Sequence, residues 1–167
     1  MSNKIIGTIK EVAGIKWRIL DKTEQGYLAI TEKSIGDKVF DYDSNDWRKS
    51  SLREYLNGDF RKKLEDAGVK LVEFERDLIS LDGQTEYGTC RDFVSLLTPH
   101  EYQKYRKNLP NKDYWWWMIA PWSTPCNGYK YYTTVVAPSG NFCSIRCNDN
   151  CGVRPVCIFD SSIFESQ

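Results

Sequence analysis

At positions 114–119 the chain reads Tyr114-Trp115-Trp116-Trp117-Met118-Ile119, an aromatic and apolar run that is typical of a β-strand. Successive side chains of a strand point to opposite faces, so Trp115 and Trp117 face one side and Trp116 faces the other. Either Trp116 enters the core while its two neighbours form a partly exposed platform, or the reverse holds, or both faces are covered. In each case this run predicts a strand.

The residues after this run predict further strands separated by turns. Proline, asparagine and glycine mark a loop at 121–128, and a β-branched segment at 131–137 indicates a strand. A turn at 138–141 leads to a return strand at 142–146, and an apolar strand is predicted at 152–159. The pattern over residues 114–159 is therefore that of an antiparallel meander.

The residues before the run predict strands and then helices. Segments 16–21 and 26–31 are rich in strand formers and are joined by a short polar link, and 5–9 is a candidate for one more strand. A helix is expected from Ser50 or Ser51, with Glu54 closing a capping box on Ser51.

Glycine and proline indicate where these helices end. Gly58 is a candidate helix breaker, with Asp59 as the cap of a second helix that ends at Gly68. Thr98 followed by Pro99 predicts the start of another helix, which stops before Pro110.

Composition limits the classes of partner. Acidic and basic residues balance at 23 each, which argues against non-specific binding of nucleic acid, because such binding requires an excess of positive charge. The sequence has no run of the ~18 apolar residues that a membrane-spanning helix needs, and no signal peptide at its start. We therefore expect a cytoplasmic protein with no membrane contact and no direct binding of nucleic acid.

The cysteines and the single histidine give no catalytic or metal-binding pattern. Four of the six cysteines crowd the end of the chain, at spacings unlike those of common zinc sites. Cys143 and Cys147 alternate with Ile145 as buried residues of one strand face do, which favours structural thiols; a zinc site or a disulfide is the alternative. His100 has no orienting neighbour in sequence, so we predict no catalytic residue, metal or cofactor.

Four segments, taken together, resemble an uncharacterised domain family of bacteria and their phages. Residues 47–60 resemble that family's Trp-x-x-Ser-x-Leu-Arg-x-Trp-Leu-Asn-x-x-Phe helix, and 17–20 resemble its early Trp-Arg-Val-Leu strand. Residues 116–121 resemble its Trp-Trp-Leu-Arg-Ser-Pro motif, and 152–156 its closing Gly-Val-Arg-Pro-Ala strand. The four occur in the family's order over almost the whole chain. Ile119 departs from the family's arginine and Trp122 from its glycine, whereas Arg154 matches.

The resemblance implies a C-type-lectin-like fold, distantly akin to the formylglycine-generating-enzyme domain and to phage receptor-binding domains. Such a fold brings the N- and C-terminal strands together and displays loops on a stable frame. We therefore expect one α+β domain over residues 1–167, with antiparallel sheets and two to three short helices. Residues 1–113 would form the frame, and 114–159 would carry the binding loops. Arg154 is expected to lock the structure by bonding to backbone carbonyls.

The function we expect is non-enzymatic binding. Exposed tryptophan and tyrosine beside polar loops mark recognition surfaces. The expected contact residues are Trp115, Trp117, Trp122, Tyr129, Tyr131, Arg146, Asn148, Asp149 and Asn150.

The partner we expect is a protein, since the predicted loop offers only Asp149 as a carboxylate for calcium-dependent sugar binding. If the gene is phage-borne, a host-defence component in the bacterial cytoplasm is a reasonable target. A carbohydrate or receptor-binding lectin is one alternative. A cysteine-dependent enzyme that uses Cys151 and Cys157 is the other, and the oligomeric state is left open by the sequence.

Overall fold

Thirteen strands and three short α-helices make up residues 2–164, which are the part of the chain that this computed structural model describes. In chain order the strands are β1 (Ile9–Val12), β2 (Ile15–Lys22), β3 (Gly26–Thr31), β4 (Asp37–Lys38), β5 (Leu71–Val72), β6 (Phe74–Asp77), β7 (Thr89–Asp92), β8 (Val94–Ser95), β9 (Trp116–Pro121), β10 (Tyr132–Val136), β11 (Phe142–Arg146), β12 (Cys151–Gly152) and β13 (Val156–Asp160). The helices are α1 (Ser51–Tyr55), α2 (Arg61–Asp66) and α3 (Pro99–Lys104). The α+β class with mostly antiparallel sheets is thus confirmed.

Two larger sheets share the core. The first has the strand order β1-β2-β3-β13-β5, with β8 also paired to β13. The second has the order β11-β10-β9-β12-β4, and β6 pairs with β7 in a separate hairpin. Within residues 2–164, no helix has both the length and the apolar character needed to cross a membrane.

The predicted meander is only partly correct. Strands β9, β10 and β11 are antiparallel neighbours, as expected. The segment predicted as one strand at 152–159 is instead divided at 153–155: β12 pairs in parallel with β9, and β13 crosses to the first sheet to pair with β3. Pro155 lies in the interruption and cannot donate to a strand ladder, which accounts for the break.

Strand β9 is buried on both faces. All six of its residues are buried, and Trp116 and Trp117 belong to two different hydrophobic clusters. Trp117 packs against Phe40, with 5.6 Å between the ring centroids, and its indole N–H donates to the carbonyl of Lys38 at 2.8 Å. Trp116 packs against Tyr102 on the other face. The prediction that Trp117 contacts a partner is therefore wrong, since its side chain is fully buried.

One helical stretch runs from Ser51 to Asp66, and Gly58 does not break it. Its middle, Leu56–Phe60, forms a π-helical segment between α1 and α2. The N-cap is Ser50, whose hydroxyl accepts from the Arg53 amide at 3.0 Å, so the predicted capping box on Ser51 is not formed. Gly68 ends the stretch with φ +86°, as predicted. The predicted capping box of α3, between Thr98 and Glu101, is present.

The first residues differ from the prediction. Residues Ser2–Ile5 form a 3-10 turn, and the first strand begins only at Ile9. Strands β1 and β2 are joined by the two-residue turn Ala13-Gly14, in which both residues have positive φ, +56° and +75°. This is the geometry of a type I′ hairpin turn, which matches the right-handed twist of the strands it joins.

Candidate binding surface

Four exposed aromatic side chains define the candidate site. Tyr42, Trp115, Tyr129 and Tyr131 are between 40% and 69% exposed. Within residues 2–164, six large apolar side chains are exposed, and these four are the aromatic ones. The other two, Ile9 and Ile79, are aliphatic. An aromatic side chain left in water forgoes a large burial energy, so its exposure at a cluster of loops calls for a functional explanation.

Backbone hydrogen bonds hold the segments of Tyr42 and Tyr131 together. The Cys147 amide donates to the Tyr131 carbonyl at 2.7 Å, and the Cys147 carbonyl accepts from the amides of Phe40 and Asp41 at 2.9 and 3.1 Å. Cys147 is itself buried. The tyrosines therefore stand on a backbone that is fixed on both sides, and binding would cost little ordering of the main chain.

Cations flank the ring of Tyr131. The Arg146 guanidinium carbon lies 5.5 Å from the centroid of Tyr131 and 5.6 Å from that of Tyr132. The ammonium of Lys130 lies 5.4 Å from the Tyr131 centroid. The Tyr129 ring meets the Tyr132 ring edge-on at 6.2 Å. We call Tyr42, Tyr129, Tyr131 and Arg146 the tyrosine surface.

A cavity of about 580 Å³ lies at the start of β9. Its lining includes Trp115 and Asn150, together with the three carboxylates Asp37, Asp113 and Asp149. The carbonyl of Trp115 accepts a hydrogen bond from the Gly152 amide at 2.9 Å. This bond fixes the start of β9 against β12 and so holds Trp115 at the cavity. We call this the tryptophan cavity.

Of the tyrosine surface, Tyr42 lies next to the tryptophan cavity. A second cavity, of about 310 Å³, is lined by Tyr42 and shares Asp37 and Asn150 with the tryptophan cavity. Asp37 and Asn150 thus connect the tryptophan cavity to Tyr42, and backbone hydrogen bonds of the buried Cys147 tie the Tyr42 loop to the segment of Tyr131. The sequence prediction named Trp115, Tyr129, Tyr131, Arg146, Asn148, Asp149 and Asn150 for this region, and all seven are exposed.

The remaining predicted residue, Trp122, is half-buried at the edge of this region. Its amide donates to the Tyr132 carbonyl at 2.9 Å, next to the buried Asn45 side chain that bonds to the same carbonyl. The sequence prediction missed Tyr42, Asp37 and Asp113. Tyr42 lies in the loop that begins at Asp41, where the Asp41 carboxylate accepts from the amides of Ser44 and Ser51 and shapes the turn.

The electrostatics of the tryptophan cavity are acidic. Burial, together with the carboxylates of Asp37 and Asp149, raises the pKa of the Cys151 thiol to about 12. Burial alone raises the pKa of Cys157 well above its ordinary value. Both thiols are therefore protonated at neutral pH, which does not suit the nucleophile of the cysteine-enzyme alternative.

The other titratable groups do not converge on this surface. All six cysteines are unpaired, and residues 2–164 contain no group of three or more His, Cys, Asp or Glu side chains placed to hold a metal ion. His100 lines a separate cleft with Glu75 and Asp77, at the start of α3. The tyrosine surface and the tryptophan cavity offer aromatic rings, cationic groups at Arg146 and Lys130, carboxylates and amides, which is the chemistry of non-covalent recognition.

Comparison of the chain with protein-family models, with curated proteins and with solved structures finds no match.

Proposed function

We propose that this protein is a non-enzymatic binding module whose tyrosine surface and tryptophan cavity together contact a protein partner. The observation that carries the proposal is the exposure of Tyr42, Trp115, Tyr129 and Tyr131, with Tyr42 next to the cavity that Trp115 lines and the Tyr42 loop bonded to the segment of Tyr131. Tyrosine, tryptophan and arginine dominate the energetics of protein interfaces, because each combines a large contact area with polar groups that bond to the partner.

We propose that the frame is a C-type-lectin-like domain. The pairing of the C-terminal strand β13 with β3 in the N-terminal half supports this proposal, as do the loops that meet where β9 ends, β10 begins and β11 ends. Because the sequence resembles a domain family of bacteria and their phages, the partner we propose is a bacterial protein. Specifically, we propose that this chain is a phage-encoded inhibitor that binds a component of a host-defence system in the bacterial cytoplasm.

The test is affinity capture from a bacterial lysate with three versions of the chain. The first is the wild type, and the second carries Tyr42→Ala, Trp115→Ala and Tyr131→Ala. The third is a matched control with Ile9→Ala and Ile79→Ala, which removes exposed apolar side chains outside the proposed surface. We expect a partner that the wild type and the control retain and the aromatic triple variant loses.

Two results would refute the proposal. Retention of the same proteins by the triple variant would show that the aromatic surface does not bind them. Binding of purified glycans by the wild type, with loss in the triple variant and no captured protein, would favour the carbohydrate-binding alternative. Circular dichroism of each variant checks that the fold is intact.

A further inference from the structure

A basic cavity of about 430 Å³ lies away from the tyrosine surface, where three separate segments meet. The β1–β2 hairpin contributes Gly14 to Lys16, and the loop after β3 contributes Lys33 to Ile35. The helical stretch contributes Tyr55, Phe60 and Lys63. We call this the lysine cavity.

Its three lysines have no carboxylate partner. Within residues 2–164, none of Lys16, Lys33 and Lys63 forms an ion pair within 4.0 Å. The neighbouring Lys62, by contrast, contacts Asp66 at 2.7 Å and points along the helix surface. Glu11 lies opposite Lys16 in the β1–β2 register, yet the two do not pair. Three unneutralised ammonium groups thus line one cavity of a chain whose net charge is zero.

A fourth cation extends this positive region. The ammonium of Lys38 lies 4.1 Å from the centroid of the Tyr55 ring, and Tyr55 lines the lysine cavity. Like charges brought together from separate segments repel one another, and an anion placed among them would relieve the repulsion. Lysine is a common ligand of phosphate groups, which it binds as a point charge.

The helical stretch that supplies Lys63 also gives the cavity an aromatic wall. Tyr55 is half-buried and Phe60 is 3% exposed, so both rings are held in place by the core. Planar bases stack on an accessible aromatic ring with little dependence on base identity, and Tyr55 offers such a ring whereas Phe60 is buried. The volume is within the ~300–1,000 Å³ that small-molecule sites occupy.

We propose that the lysine cavity binds a nucleotide, with its phosphate groups among Lys16, Lys33 and Lys63 and its base against Tyr55. This site is separate from the protein-binding surface and does not depend on that function. The balanced net charge argues against tight binding of long nucleic acids. A small phosphorylated ligand, by contrast, requires only this local excess of positive charge.

The test is calorimetric titration of the whole chain at low salt with three probes: ATP, adenosine and tripolyphosphate. The variant Lys33→Glu with Lys63→Glu reverses two charges of the cavity. Its matched control, Lys49→Glu with Lys107→Glu, changes the net charge equally at exposed lysines elsewhere. We expect the wild type and the control to bind ATP, and the cavity variant to bind it at least about tenfold more weakly.

The remaining probes test the aromatic wall. Tripolyphosphate is expected to bind more weakly than ATP and adenosine more weakly still, and Tyr55→Leu should reduce the difference between ATP and tripolyphosphate. Absence of ATP binding, equal loss in the control, or equal affinity for ATP and tripolyphosphate would each overturn the proposal. So would tight binding of an acidic peptide by a chain that does not bind ATP. None of these results bears on the partner capture, which uses different variants.

Discussion

The guanidinium carbon of Arg154 lies 4.6 Å from the centroid of the Trp116 ring, inside the molecule. Arg154 is 1% exposed, and its Nε donates to the carbonyl of Thr31 at 3.1 Å. Its two terminal nitrogens have no hydrogen-bond partner among residues 2–164. The expected bonding of Arg154 to a backbone carbonyl is therefore found, with the ring of Trp116 as the second contact and no carboxylate.

This arrangement predicts how two substitutions of Arg154 rank in stability. Arg154→Met loses the bond to Thr31, whereas Arg154→Lys keeps a donor but also keeps a buried positive charge, which has no carboxylate to offset its desolvation. We expect the methionine variant to be more stable than the lysine variant by about 1 kcal/mol or more. Urea unfolding at neutral pH measures both, and a more stable lysine variant would show that charge at this position is favourable.

Truncation of Trp117 should cost far more stability than truncation of Trp115. Trp117→Ala removes a fully buried ring and its bond to Lys38, so we expect a loss of about 3–5 kcal/mol in the free energy of unfolding. Trp115→Ala removes a side chain that is 43% exposed, and we expect a loss of about 1 kcal/mol or less. Denaturant titration of the two variants provides the comparison. A large loss for Trp115→Ala would mean that this ring supports the fold instead of binding a partner.

The ion pair between Arg76 and Glu101 predicts acid sensitivity. The two side chains approach to 2.6 Å, and Arg76 is buried. Burial acts to raise the pKa of Glu101, but attraction to Arg76 and hydrogen bonds from Arg76 and Thr98 outweigh it and lower this pKa below its ordinary 4.5. A carboxyl with a lowered folded-state pKa stabilises the fold above its unfolded pKa, and this stabilisation is lost as the pH falls through the folded pKa.

We therefore expect the unfolding free energy to fall as the pH is lowered from about 5 towards 2, and Glu101→Gln to flatten that dependence. Glu54→Gln is the control, because Glu54 is exposed and forms no ion pair among the described residues. Equal pH dependence in wild type and Glu101→Gln would contradict the prediction.

The β1–β2 turn can be improved. Ala13 has φ +56°, a conformation that costs a residue with a Cβ about 1 kcal/mol and that asparagine adopts more readily. Ala13→Asn should raise the melting temperature. Gly14→Ala should lower it, by about 1 kcal/mol of stability, through backbone strain alone, since a Cβ on Gly14 would meet no atom within 4 Å. Thermal unfolding of the pair tests the turn; the opposite order would show that the turn is not of type I′.

The cysteines should differ sharply in reactivity. Cys126 is exposed, while Cys147, Cys151 and Cys157 are buried with raised pKa values, because burial disfavours the thiolate. We expect a thiol reagent at pH 8 to modify Cys126 rapidly in the native protein and the three buried thiols only after unfolding. In Cys126→Ser the fastest phase should disappear. Fast modification of Cys151 would revive the cysteine-enzyme alternative.

Local patterns predicted the strands of five or more residues and the caps at Thr98 and Gly68, because these depend on neighbouring residues, but not the short strands β4 to β7. The boundaries of β3 and β11 match the segments read from the sequence, and the capping box of α3 follows from Thr98 and Glu101. The helical stretch continued through Gly58 because Leu56, Phe60 and Leu64 are all buried in the core, and their packing outweighs the glycine.

The candidate site was harder to predict, because its parts meet only in three dimensions. Seven of its residues were named from the aromatic and polar loops. Asp37 joins them only because β4 pairs with β12, a contact across more than a hundred residues that no local pattern encodes. Whether Trp117 is buried or exposed depends on whether a second layer covers its face of β9. The residue that covers it, Phe40, lies in a loop that is distant in the sequence.

The placement of β13 also bears on how the chain folds. Strand β3 pairs with β2 on one side and with β13 on the other, so one edge of β3 stays open until residues near the end of the chain arrive. During synthesis the ribosome would release β13 more than a hundred residues after β3. Contacts of such long sequence separation slow folding, and an unpaired apolar edge is prone to aggregate meanwhile. The nascent chain should therefore depend on chaperones until its final strand closes the first sheet.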